Sequence, residues 1–202
     1  MTGVQRILIL RISVLGDVVH VLLVLTALRC HFLGARIGWV VEEAMAPILD
    51  GHPDLDELLV LRFRAWRRRP LALRTLADVA VFVGALRRFR ADAVLDLMGN
   101  HKGALIAVTS GAGRRIGLAR PDRHKPSSTL WISDPVTLAP STVHAVDRAL
   151  AVAAALGIPR CAADFGGAKL FSGAPPAAAA ADLAAPGGAA EAPFVLLHPG
   201  AG

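Results

Sequence analysis

The chain has 202 residues, a length that suffices without disulfides for one folded domain, or for one domain and part of a second. Its 22 lysines and arginines outnumber its 16 acidic residues, which gives a formal net charge of +6. Hydrophobic residues make up 54% of the chain, but the longest apolar run, which starts at Val18 and stops before Arg29, is shorter than the roughly 20 residues of a bilayer span, so no transmembrane helix is predicted. The two cysteines, Cys30 and Cys161, lie far apart without a Cys-x-x-Cys or Cys/His cluster, which predicts neither a disulfide framework nor a metal site and favours the cytoplasm.

Short apolar runs alternate with helical patterns along most of the chain. Residues 6–11 (RILILR) predict the first strand, without the ordered regions of a signal peptide before it, and residues 17–32 predict the first helix. The further strands are predicted at residues 36–41, 58–61, 93–98 and 115–118, and the further helices at residues 42–49, 71–89, 102–109 and 143–156. This alternation predicts an α/β fold, a Rossmann-like parallel sheet with helices on both faces.

The composition predicts three segments. Residues 1–160 form the Rossmann-like domain, and residues 161–193, rich in alanine, glycine and proline, are an interdomain linker because such a sequence buries little apolar surface. Residues 194–202 (FVLLHPGAG) restart a buried strand followed by a glycine turn, as at the beginning of a second domain. A strand without a covering helix makes no domain, so the chain is expected to be truncated relative to its architecture.

Asp17 follows the glycine turn at the end of the first strand and stands at the start of the first helix. In an open α/β sheet, ligands bind beyond the carboxyl ends of the strands. A carboxylate at this position can act as a general base, although helix capping is the commoner role of such an aspartate. The turn lacks G-x-G-x-x-G and the Gly-Lys-Ser/Thr of a P-loop, so no dinucleotide is expected there.

Five arginines fall within residues 62–69, directly after the third strand, with Phe63 and Trp66 between them. We interpret this segment as a loop at the cleft. Arginine forks bind phosphate and carboxylate, so the loop suits a polyanionic ligand; an RNA-binding patch and a merely solvated basic loop are the alternatives. Because the chain shows no helix-turn-helix, RNP motif or zinc-finger spacing, a phosphorylated small molecule or lipid is favoured over nucleic acid.

Two further groups of polar residues are candidate ligand-binding residues. Lys102 is predicted at a helix start beyond the fourth strand, where the helix dipole favours anions, although a solvated lysine would occupy the same position. His144 and Arg148 are four residues apart on one helical face, a spacing that by itself is typical of a polar stripe.

Several motifs in order resemble the lipopolysaccharide heptosyltransferases of glycosyltransferase family 9, inverting enzymes of the two-domain GT-B type. The motifs are ILRISVLGDVVH, WVVEEAMAPIL, the arginine segment with Trp66, LDLMGNHKGAL, RRIGLAR, HAVDR and LLHPGAG. The resemblance extends along the whole chain, which would correspond to the amino-terminal half of such an enzyme. It implies the amino-terminal domain of a GT-B fold, heptose transfer from ADP-heptose to the Kdo-lipid A inner core, and a peripheral location at the cytoplasmic face of the inner membrane.

The resemblance also implies roles for particular residues. Asp17 takes the place of the catalytic base. The phosphate and carboxylate groups of the acceptor are expected to contact the remaining candidates, which are Arg62, Arg64, Arg67, Arg68, Lys102, Arg123, His144 and Arg148. No cofactor or metal is expected, because groups of the carboxyl-terminal domain, beyond Gly202, would stabilise the departing diphosphate, and this chain alone is expected to be inactive.

The sequence departs from the family at two of these motifs. Met98, Asn100 and His101 replace the more usual surroundings of Lys102, and His124 stands where the family often has arginine, so that Arg123 would compensate by a shift of one residue. The alternatives are a related enzyme that uses another sugar or acceptor, and a non-catalytic remnant that binds anions.

Overall fold

A computed structural model describes residues 4–12 and 14–158; the predicted linker and the strand that follows it lie outside these residues. The described residues form one parallel sheet in the order β3-β2-β1-β4-β5-β6. Its strands are β1 (Arg6–Leu10), β2 (Arg36–Glu42), β3 (Glu57–Leu61), β4 (Ala93–Asp96), β5 (Arg114–Leu118) and β6 (Asp134–Val136). The strand order runs outward in two directions from the β1/β4 pair, which is the topological switch point of a Rossmann sheet. The predicted fold class is confirmed.

Helices connect successive strands and cover the sheet. They are α1 (Leu15–His31), α2 (Ala46–Leu49), α3 (Phe63–Arg68), α4 (Leu73–Phe89), α5 (His101–Thr109) and α6 (Ala145–Ala154). Short 3-10 helices occur at Glu43–Met45, Arg120–Asp122 and Pro126–Trp131. In the part of the chain that the structure describes, no helix combines the length and the apolar character needed to cross a membrane.

The sheet separates two apolar layers, because successive strand residues point to opposite faces. On β1, Ile7 and Ile9 pack beneath α1 and α6, while Leu8 and Leu10 pack beneath α4 and α5. All four side chains are completely buried, and each such residue contributes about 1.5–3 kcal/mol of transfer free energy. A central strand that is buried on both faces explains why its sequence is continuously apolar.

The end of β1 is held by its neighbour β2. The buried indole of Trp39 donates a hydrogen bond to the carbonyl of Arg11 at 2.9 Å, and the amide of Glu42 donates to the carbonyl of Ile12 at 2.8 Å. These bonds continue the β1–β2 pairing past the last strand residue. They therefore fix the backbone at Arg11 and Ile12, immediately before the turn that leads to Asp17.

Two local predictions were wrong. The arginine segment is not a loop: Phe63–Arg68 is a helix, because Phe63 and Trp66, three positions apart, share one side of the turn and pack against the apolar layer beneath α4. Strand β6 was not predicted; it is a three-residue strand that contains Pro135 and pairs on one side only, with β5. A proline is compatible with an edge strand but is a poor strand signal in a sequence.

Candidate active site

A cleft of about 470 Å³ opens beyond the carboxyl ends of β1 and β4, at the switch point of the sheet. In Rossmann folds this is the ordinary place for a ligand. One wall comes from the start of α1, the floor from the turn after β4, and the other wall from α6. The polar residues that line it are Arg11, Asp17, His20, Asn100, Asp122, His124 and Arg148.

Asp17 lies on the α1 wall, in the first turn of the helix. Its carboxylate forms an ion pair with the guanidinium of Arg11, which also donates to the carbonyl of Leu97 at the end of β4. The residue before the helix is Val14, with φ of 77° and no side-chain cap. Asp17 is therefore not the capping residue; Arg11 links its carboxylate to the two strands of the switch point.

Backbone strain accompanies this turn. A positive φ is rare for a β-branched residue such as Val14 and costs about 1–3 kcal/mol. The surrounding bonds to β1 and β2 maintain the strained turn. Its consequence is that α1 starts close to the end of β1 and keeps Asp17 at the cleft, where the positive end of the helix dipole also favours a carboxylate.

The opposite wall contains the two polar residues predicted on the last helix. Arg148 donates to the carbonyl of Asp122 at 2.7 Å and lines the cleft. His144 is the residue preceding α6, and its Nδ1 accepts a hydrogen bond from the amide of Val146 at 3.3 Å. The ring of His144 lies 5.9 Å from the ring of His20 on α1. The pair thus joins the two walls, although His144 itself also has a capping role.

Two nitrogen atoms at the cleft are buried without a hydrogen-bond partner among the residues that the structure describes. They are Nε of Arg11 and Nδ1 of His20, and both residues line the cleft. A buried polar atom without a partner costs about 1–3 kcal/mol. Ordered water is the common partner of such atoms in proteins. Neither residue was among the predicted site residues.

Beneath the cleft lies a completely buried ion pair between Asp96, at the end of β4, and Arg123. Nη2 of Arg123 lies 2.5 Å from the Asp96 carboxylate, its Nε donates to Ser128 at 2.9 Å, and its Nη1 donates to the carbonyl of Leu118 at 3.3 Å. Because all three guanidinium nitrogens face protein partners, Arg123 has no group directed at a ligand. The assignment of Arg123 to acceptor binding is corrected: it positions the loop that forms the cleft floor.

The surroundings of this ion pair fit it closely. A side chain at Gly103 or Gly117 would collide with Asp96 or Arg123, at 2.4 Å and 2.8 Å. Burial raises the pKa of Asp96 above its ordinary value, and the charge and hydrogen bond of Arg123, with the amides of Met98 and Gly99, oppose that rise. An aspartate within an otherwise apolar strand was the available sequence signal, since buried carboxylates require partners.

A second group of charges surrounds α3 and the start of α5. Nζ of Lys102 lies 4.4 Å from the centre of the Phe63 ring, a cation–π contact. Burial, followed by the positive charges of Arg64 and Arg67, lowers the pKa of Lys102, while the charge of Glu42 opposes the change. Lys102 is at the start of its helix, as predicted, and the tertiary structure brings it to the arginine segment. We call Arg64, Arg67 and Lys102 the basic cluster.

The remaining arginines of the segment face elsewhere. Nε of Arg62 forms an ion pair with Glu43 at 2.8 Å, and Arg62 and Arg68 line a separate shallow groove that also includes Trp66. The structure therefore places the predicted site residues in three groups. Asp17 and Arg148 line the cleft, with His144 beside it; Arg64, Arg67 and Lys102 form the basic cluster; and Arg62 and Arg68 lie on the outer side of α3.

Comparison with known proteins agrees with this architecture. The family model for glycosyltransferase family 9 (heptosyltransferase) matches residues 79–202. Lipopolysaccharide heptosyltransferase 1 of Escherichia coli K12 is 30% identical over 144 residues, which are 71% of this chain and 45% of that protein. The protein of the same name from Pseudomonas aeruginosa is 28% identical over 164 residues, 80% of this chain and 46% of that one.

A solved structure gives the same relationship. The E. coli heptosyltransferase WaaC with ADP-2-deoxy-2-fluoro heptose superimposes with a TM-score of 0.72 at 29% identity, covering 80% of this chain and 52% of that chain. The chain belongs to glycosyltransferase family 9, the heptosyltransferase family. It spans about half the length of the relatives that it matches, and its sheet corresponds to their amino-terminal half.

Proposed function

We propose that this chain supplies the acceptor-binding half of an inverting heptosyltransferase that transfers heptose from ADP-heptose to the Kdo-lipid A inner core of lipopolysaccharide. The observation that carries the proposal is the position of Asp17, paired with Arg11 at the mouth of the cleft on the switch point of the sheet. The heptosyltransferase relatives support the sugar and the pathway.

In this proposal Asp17 is the catalytic base. As an acceptor hydroxyl attacks the anomeric carbon of the heptose, the carboxylate of Asp17 accepts its proton. The new glycosidic bond forms as the bond to ADP breaks, and ADP leaves with the electron pair of that bond on the opposite face of the sugar. Arg11 holds the carboxylate in place, and His20 lines the same cleft.

The basic cluster supplies the charge complement of the acceptor. Kdo-lipid A carries phosphate and carboxylate groups, and the guanidinium groups of Arg64 and Arg67, with the ammonium of Lys102, are suited to bind them. Lys102 stays in a partly buried position that disfavours its charge, next to two other cations. That arrangement is expected of a site that binds an anion rather than of a solvated surface.

The proposed activity takes place at a membrane and requires a donor-binding half. The acceptor is a lipid, so the enzyme would work as a peripheral protein at the cytoplasmic face of the inner membrane. No cofactor or metal is proposed; the departing diphosphate would be stabilised by the donor-binding half. Because transfer requires donor and acceptor in one cleft, the 202-residue chain by itself would show negligible activity.

The test measures heptose transfer from ADP-heptose to Kdo-lipid A by the longest form of the protein that its gene encodes. Asp17→Asn is expected to lower kcat by about 10²–10⁴-fold, the usual contribution of a general base. The matched control is Asp147→Asn, which removes an exposed aspartate from the first turn of α6 and is expected to leave transfer intact.

Three other results have distinct meanings. Undiminished transfer by Asp17→Asn would reject the base assignment but not the family. No transfer by a well-folded protein would favour another sugar donor, to be identified by comparing nucleotide sugars. Robust transfer by the 202-residue chain would contradict the proposal that this chain needs a donor-binding half.

A further inference from the structure

The outer face of α4 is apolar where a surface helix is ordinarily polar. The inner face buries Phe82, Leu86 and Phe89 against the sheet. On the outer side, Leu73 is 86% exposed, Leu76 is 52% exposed and Val81 is 73% exposed. A helix of a globular domain usually has one apolar stripe and a charged opposite face. In α4 the burial of the inner stripe leaves these outer side chains without an explanation.

The exposed apolar side chains form one surface. Around the helix Leu73 lies between the other two, with Leu76 about 60° to one side of it and Val81 about 80° to the other, so the three side chains span the solvent-exposed half of α4. Leu71, which precedes the helix by two residues, is 87% exposed. Single exposed leucines are ordinary, whereas a cluster of them marks an interaction site. We call these four residues the α4 outer face.

Arginines flank this face. Arg68, Arg69 and Arg74 are exposed and adjacent to it in sequence, and Arg87 and Arg88 lie at the far end of the same helix. From Phe63 to Arg90 the sequence contains eight arginines and a single acidic residue, Asp78. An apolar surface within a strongly basic border matches an anionic lipid bilayer, which accepts leucine side chains among its acyl chains and arginines among its headgroups.

We infer that the α4 outer face is the membrane-docking surface of this protein and that its partner is a bilayer containing anionic phospholipids. A second copy of the chain fits less well, because a symmetric contact would bring two arginine borders of the same sign together. The inference rests on the proposed function only in that the acceptor is a lipid. It does not depend on which sugar is transferred.

The first experiment measures binding of the full chain to vesicles by sedimentation. Phosphatidylcholine vesicles with phosphatidylglycerol are compared with phosphatidylcholine vesicles alone. Wild type is expected to bind the anionic vesicles much more tightly, and less so at high salt. Leu71→Gln/Leu73→Gln/Leu76→Gln is expected to lower the partition coefficient on the order of tenfold or more. The control is Leu33→Gln, at a leucine 80% exposed and outside this surface; both variants are checked for an unchanged Tm.

The second experiment separates docking from catalysis. With the acceptor embedded in anionic vesicles, the triple leucine variant is expected to lose transfer activity. With a water-soluble acceptor that lacks acyl chains, it is expected to equal wild type. If the wild-type protein binds anionic vesicles but transfers no heptose, the proposed sugar chemistry is rejected and the docking surface is still supported.

Three outcomes would overturn the inference. The triple variant binding anionic vesicles as well as wild type would show that the leucines do not insert. Equal binding to neutral and anionic vesicles would show that the arginine border has no role. A wild-type dimer that the leucine substitutions dissociate, without vesicle binding, would identify the face as a contact between two copies of the chain.

Discussion

The cleft and the basic cluster both lie beyond the carboxyl ends of strands, but they hold their charges differently. At the cleft, each major charge has a protein partner: Asp17 pairs with Arg11, and Arg123 pairs with Asp96. In the basic cluster, Lys102 contacts the Phe63 ring and lies among positive charges, with Glu42 as the compensating acid. The first arrangement suits the proposed base, which must be held in place, and the second leaves positive charge for the proposed anionic acceptor.

Under the proposed function, this difference separates the reacting group from the groups that recognise the acceptor within one domain. A general base must be held within a narrow geometry, so its partners are fixed before the substrate arrives. Phosphate recognition tolerates more adjustment, because arginine and lysine side chains are long and a polyanion can be bound from several directions. The two regions are therefore expected to respond differently to substitution.

The largest stability effect is expected at the cleft floor. Arg123→Leu leaves the carboxylate of Asp96 buried without its partner, which is expected to lower the free energy of unfolding by about 3–5 kcal/mol. Urea denaturation measures this loss. The double variant Asp96→Asn/Arg123→Leu is expected to recover part of the stability, because no uncompensated charge remains. A loss below about 1 kcal/mol would mean that the pair does not hold the floor together.

A smaller effect, on binding rather than folding, is expected in the basic cluster. Arg64→Gln/Arg67→Gln removes two exposed guanidinium groups, so Tm is expected to remain unchanged while KM for the acceptor rises about tenfold and kcat changes little. Steady-state kinetics with varied acceptor concentration measure the two constants. Arg6→Gln, at an exposed arginine at the amino end of β1 and outside both the cleft and the α4 outer face, is the matched control. A fall in kcat alone would place these arginines at the reacting centre instead.

The smallest effect is expected at Lys102, whose pKa is lowered chiefly by burial. Between the lowered pKa and the ordinary value of 10.5, the unfolded chain binds more protons than the folded chain, so stability rises with pH across that window. Lys102→Met removes this rise and is expected to be slightly more stable than wild type at pH 7, while binding the acceptor more weakly. Thermal unfolding at neutral and alkaline pH measures the difference. A less stable variant would show that the contact with Phe63 outweighs burial.

The fold followed from local patterns for a physical reason. Strands that are buried on both faces need continuous apolar runs, and the connecting helices need apolar stripes, so β1, β2 and β4 and the helices between them are visible in the sequence. The exceptions are elements that depend on neighbours. Helix α3 forms because Phe63 and Trp66 pack on the apolar layer, and the short strand with Pro135 exists because β5 offers it a partner.

The residues of the candidate site also divide into those predictable from local sequence and those that depend on tertiary contacts. The position of Asp17 was predictable because a glycine turn between a strand and a helix places the first helical turn at the carboxyl end of the sheet, while its role as base was implied by the family resemblance. The roles of Arg11, Asp96 and His20 were not predictable, since each depends on a contact that the sequence does not display. Arg123 illustrates the limit most clearly. It lies 27 positions from Asp96, and its burial with that residue depends on how two loops meet.

The sequence by itself determined the alternation of strands and helices, the excess of arginine, and the family whose motifs occur in order. These properties are local, because they follow from the chemistry of neighbouring residues and from the period at which apolar side chains recur. The tertiary structure alone decided which charges are paired, which remain available, and which leucines of α4 stay exposed. Those properties follow from packing, because the energy of a charge or an apolar side chain depends on what surrounds it after the chain has folded.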